Sequence, residues 1–111
     1  ETPLIMPGRL VPTLYKAASY VGHAAIWGMN PTECARIWFP TLAQVHAHDN
    51  HGEHDEHLEF GKGIIDWCEL LCFLKAESWD GIFMMEVVEQ EDPKAALARS
   101  LDLVQTCLSQ C

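Results

Sequence analysis

The chain has 111 residues, 49% of them apolar and 21% charged, so it is long enough for one core, too short for two, and too apolar for wholesale disorder. Seven Lys and Arg against sixteen Asp and Glu leave a formal charge of -9, which repels phosphate backbones and excludes the basic footprint of a nucleic-acid binder. No stretch approaches the ~20 apolar residues of a membrane span, and Glu1-Thr-Pro lacks the basic start of a signal peptide, so one soluble domain over residues 1–111, in the cytoplasm, is expected.

In chain order, Leu10, Val11, Leu14, Ala18 and Val21 have helical spacing, yet residues 14–21 read equally as a strand before Gly22-His23. The strand is preferred, because the strand-helix alternation farther along the chain asks for one there. Asn30 is placed to cap a helix over residues 31–39. Residues 42–48 are short and mostly apolar and run into the turn-forming Asp49-Asn-His-Gly52, which predicts a buried strand and a loop. Over residues 64–75, Ile64, Trp67, Leu71 and Leu74 repeat at helical spacing and predict an amphipathic helix. After the turn at Trp79-Asp-Gly81, residues 82–88 form an apolar run broken by one acid, the pattern of a strand covered on both faces. Asp92 and Pro93 then open a helix whose expected buried stripe is Ala96, Leu97, Leu101, Val104 and Leu108.

Five of the six histidines and four carboxylates fall between His46 and His57. Parallel strands in α/β folds present functional groups at their C-terminal ends, and the candidates sit at such ends: His23 after the first strand, His46 and His48 at the second, Asp55 and His57 in the following loop, and Glu86 near the end of the third. Residues two apart in a strand share a side, so His46 and His48 can face one site, and Asp55 and His57 repeat that spacing. Imidazoles mixed with carboxylates suit Mn, Fe, Co or Zn. His51 and His54 read as solvated loop residues, and His48 as a ligand or a group supporting one. An acid inside the run Ile-Phe-Met-Met-Glu-Val-Val needs a cation or hydrogen bonds to compensate its burial, which makes Glu86 a functional candidate. Trp27, Trp38, Trp67 and Trp79 are expected in the core, Trp27 alternatively lining a pocket. The five cysteines are odd in number and form no C-x-x-C pair, so buried thiols rather than disulfides are expected.

Taken together, Gly-His-Ala at 22–24, His-Ala-His-Asp-Asn at 46–50, Asp-Glu-His-Leu with the glycines and Ile-Asp-Trp that follow over 55–67, and Asp-Gly-Ile-Phe-Met-Met-Glu-Val at 80–87 resemble the sugar phosphate isomerase/epimerase superfamily, the xylose-isomerase-like (β/α)8 barrels that also include the endonuclease IV type. The resemblance covers roughly residues 20 to 108, in the order of the last three βα units of that barrel. It implies divalent metal binding (Mn, Co, Zn or Mg) by His23, His46, Asp55, His57 and Glu86, with Glu86 also exchanging a proton with the carbon beside the carbonyl of a sugar or sugar phosphate. The superfamily commonly places an Asp three residues before the His of Gly-His, where this chain has Tyr20. A whole barrel takes ~250 residues, so the expected fold is a partial barrel of about three parallel strands with outer helices, completed by homo-oligomerisation. The expected function is a metal-dependent sugar isomerase or epimerase, with a non-catalytic oligomeric metal- or ligand-binding derivative as the alternative.

Overall fold

The structure is a computed structural model that describes residues 17–88 and 91–111. Its elements run β1 (Ala17–Tyr20), α1 (Val21–Ile26), α2 (Pro31–Trp38), a 3-10 turn at Phe39–Thr41, β2 (Leu42–Ala47), α3 (Trp67–Ala76), β3 (Ile82–Met85) and α4 (Pro93–Gln110). The three strands pair in parallel in the order β1-β2-β3, with Tyr20 opposite His46 and His46 opposite Met84. This is the expected partial barrel unit. Residues 17–20 take the strand alternative, whereas residues 9–16 lie outside the described part.

The helix starts follow from their caps. The Asn30 side chain accepts from Thr32 N and Glu33 N, and the Asp92 side chain accepts from Ala95 N with Pro93 at the first position, both as the sequence predicts. α3 begins three residues later than the apolar spacing suggests, because Asp66 accepts from Glu69 N and sets the start at Trp67. Trp67, Leu70, Leu71 and Leu74 then line one buried face, each contributing about 2 kcal/mol of apolar burial. They meet Val45 and Phe60, whose ring stacks on Trp67 at a centroid distance of 3.9 Å.

Three expectations change. β3 is not covered on both faces: Ile82 and Met84 are exposed while Phe83 and Met85 pack against the core, so its pattern alternates. The buried stripe of α4 is Ala96, Ser100, Val104 and Cys107, with Leu97 and Leu101 exposed, because α4 is turned toward α3 by two disulfides. These join Cys68 to Cys107 and Cys72 to Cys111, leaving Cys34 as a buried free thiol among the described residues. Two cysteines four apart on each of two helices lying side by side pair in register, which neither the odd count nor the spacing within one helix discloses. No helix among the described residues is long and apolar enough to cross a membrane.

Candidate metal centre

The site is built where β2 ends. Asp49 is fully buried, and its carboxylate accepts from Asn50 N, Gly61 N, Ile65 N and the Trp67 indole. Asn50, also fully buried, donates to Gly22 O and accepts from Gly52 N, which ties the loop to α1. Backbone hydrogen bonds between Asp49 and Leu58 close residues 49–58 into an excursion that returns Asp55 and His57 over the strand ends. Arg99 fixes the far side of the loop with two hydrogen bonds to the buried Glu59, and Ser100 Oγ accepts from Phe60 N. The Arg99 hydrogen bonds hold the Glu59 carboxyl below its ordinary value against the opposing effect of burial.

Within this frame Asp55 is a hub. Its Oδ2 lies 3.3 Å from His23 Nε2, and its Oδ1 lies 3.1 Å from His57 Nε2 and 3.8 Å from His48 Nδ1. Burial works to raise the Asp55 carboxyl, but the His23 hydrogen bond and the neighbouring imidazoles outweigh it and hold the group lowered, in its charged form. His57 has a positive φ of 56°, an uncommon conformation for a residue with a side chain. In that conformation its Nδ1 donates to Glu86 O at 2.9 Å, which turns Nε2 toward Asp55. His23 lies within α1 rather than at a strand end, and its ring still reaches the site.

On the other side of the pocket His46 Nδ1 donates to Glu86 Oε2 at 2.8 Å, while His46 Nε2 is 2.9 Å from the Gln44 amide oxygen. Glu86 follows β3 directly, its N–H donating to Ala47 O, so the carboxylate sits at the end of the sheet and is half-buried rather than sealed in. Between the two halves stands His48, fully buried, stacked on His57 at 3.7 Å and edge-on to His23 at 5.8 Å. Burial first, and then the His57 ring, push its imidazole down from 6.5 to about 4, so it is neutral at pH 7.

Two groups of ligand atoms converge within 4.8 Å: His23, His48 and Asp55, and His48, His57 and Glu86. Of the five residues expected from the sequence, His23, Asp55, His57 and Glu86 fall in these groups, and His46 stands beside Glu86 instead. His51 pairs with Glu56, and His54 is exposed; both are rim residues. Trp27 is exposed with its ring 6.2 Å from that of His23, at the pocket mouth rather than in the core. Imidazoles with a carboxylate are the donor set of a borderline divalent ion. Ligands ~2.1 Å from such an ion lie roughly 3 to 4 Å from one another, the range of the Asp55 distances, so these residues fit the metal that the resemblance implies.

Parallel strands ending in an imidazole and carboxylate cluster define a βα-barrel unit with a candidate metal centre. A family profile described as the xylose isomerase-like TIM barrel matches residues 20–107, and the chain belongs to that family. A D-tagatose 3-epimerase-like protein superposes with a TM-score of 0.71 at 29% identity, over 91% of this chain and 40% of that one. The 3-keto-D-glucoside 4-epimerase YcjR of E. coli superposes with a TM-score of 0.67 at 26% identity, over 83% of this chain and 34% of that one. An uncharacterised protein, MJ1311, of Methanocaldococcus jannaschii is 47% identical over 69 residues, 60% of this chain and 23% of its own length. The chain thus spans less than half the length of each of these proteins.

Proposed function

We propose that this unit serves a metal-dependent sugar isomerase or epimerase reaction, with proton transfer at the carbon beside a carbonyl. The observation that carries the reading is the convergence of His23 and His57 on Asp55, with Glu86 across the pocket, at the sheet end of a fold shared with sugar epimerases. The ligands of a divalent ion are drawn from His23, Asp55, His57 and Glu86, with Mn, Co, Zn and Mg as the candidates. When bound, the ion supplies Lewis-acid polarisation of neighbouring sugar oxygens. Glu86 takes the proton from the adjacent carbon and returns it, and His46 orients the carboxylate through its 2.8 Å hydrogen bond. Asp55, exposed on the loop, and Trp27 at the mouth face the incoming sugar or sugar phosphate.

The exposed Ile82 and Met84, and the outer edges of β1 and β3, support a second element of the proposal, association with another copy of the chain that covers them. The test is solvent exchange: with Mn(II) or Co(II) present, the protein is expected to wash deuterium into the C–H beside a ketose carbonyl, read by proton NMR. Glu86→Gln is expected to abolish that exchange. Cation binding with no exchange on any ketose or ketose phosphate would overturn catalysis and leave the alternative, an oligomeric metal-binding derivative of the barrel.

A further inference from the structure

We propose that His48 is itself a ligand of the cation, binding it together with His23 and Asp55. The inference rests on the reading above in one respect, that a divalent cation occupies this pocket. His48 lies outside the ligand set that the family resemblance implies, and its own surroundings assign it.

The first observation is that both His48 ring nitrogens are buried with no hydrogen-bond partner, and no other buried side-chain nitrogen or oxygen among the described residues is in that state. A neutral imidazole carries one N–H and one lone pair, and leaving such groups unmet in the interior costs about 1–3 kcal/mol each. A histidine that merely fills a core turns a nitrogen toward a carbonyl or hydroxyl, as His57 does toward Glu86 O. His48 faces ligand-type groups instead: Nδ1 is 3.8 Å from Asp55 Oδ1, beyond a hydrogen bond but within the spacing of two ligands on one ion.

The second observation is that the fold holds the ring there. A Cβ on Gly22 would lie 1.9 Å from His48 Cε1 and 2.1 Å from its Nδ1, so the imidazole occupies space that only glycine leaves on α1. His57 closes one face by stacking at 3.7 Å, and the ring of His23 closes an edge. The third observation is connectivity. His48 is the one residue common to both convergent groups, and without it each keeps only two members. The ring of His57 is stacked face to face on His48 and its in-plane lone pair cannot meet the same ion, whereas His23 meets His48 edge-on, so the ion that His48 binds lies on the His23–Asp55 side.

The experiment is a zinc titration of the whole chain labelled with 15N-histidine, following the imidazole nitrogens by two-bond 1H–15N correlation. One His48 nitrogen is expected to leave the free lone-pair region together with one of His23. His48→Leu is expected to weaken Zn(II) or Co(II) binding by at least ~100-fold, more than the 10–100-fold typical of groups behind a ligand, while His54→Asn leaves it unchanged. If zinc moves His23 or His57 while both His48 nitrogens stay in place, the inference falls and the metal site stands. If no histidine in the cluster responds to zinc, the metal reading falls and takes this inference with it. The wild-type spectrum decides the matter even if the substituted protein fails to fold.

Discussion

At Asp49 four donors converge on one buried carboxylate, whereas at His48, the residue before it, two equally buried ring nitrogens meet none. Burial is the same and the chemistry is opposite. Asp49 belongs to a scaffold that runs through Trp67 and α3 to the stapled α4, and returns through Arg99 and Ser100 to the loop. In that region the buried polar side chains are paired. At the sheet end the rules are broken together: an unpartnered histidine, His57 at positive φ and a half-buried acid. A fold tolerates such a cluster where a ligand is to complete it, with the satisfied region holding the unsatisfied one in place.

Substitutions can break that contrast, most strongly at Asp49. Asp49→Leu is expected to cost about 4 kcal/mol in urea unfolding, because the Trp67 indole and three backbone N–H groups lose their acceptor. Next comes the staple. Each disulfide spans a sequence separation of 39, and reducing both with a dithiol is expected to cost ~3 kcal/mol, read as a lower urea midpoint. Arg99→Met, which leaves the buried Glu59 with only Lys62 at 3.5 Å, is expected to cost about 2 kcal/mol.

Acid sharpens the same comparison. The folded carboxyl of Glu59 lies below its ordinary 4.5, so between those values the unfolded chain binds more protons. Its stabilisation is complete above about 4.5 and is lost as pH falls through the lowered folded value. Arg99→Met is expected to flatten that acid limb in unfolding measured against pH. The smallest loss is at His48, where His48→Leu in metal-free protein is expected to cost no stability, since no hydrogen bond is lost and two unmet ring nitrogens are removed. A loss comparable to that of Asp49→Leu would erase the distinction between the two residues.

Much of this scaffold is legible in the sequence because it is set locally. The caps at Asn30 and Asp92, the strand at residues 42–47 and the parallel strand-helix order all follow from neighbouring residues. What is not legible depends on partners distant along the chain. The disulfides require α3 and α4 to lie side by side, and the exposure of Leu97 and Leu101 follows from that same orientation. The site divides in the same way. His23, Asp55, His57 and Glu86 can be picked out as candidates, but period two places His46 and His48 on one side and cannot rank them. Their ranking is decided by Glu86 and Gln44 engaging His46, and by the space at Gly22 that admits His48. Gly22 is the signal that sequence reasoning left unused: a glycine beside His23 marks close approach by another group.

The central claim is that this pocket is a divalent cation site, and its most direct test is an anomalous difference map from crystals grown with Co(II) or Zn(II). The account expects a peak about 2.0–2.2 Å from ligand atoms of His23, His48 and Asp55. A clean map at this pocket, with protein fully exposed to the ion, would contradict it.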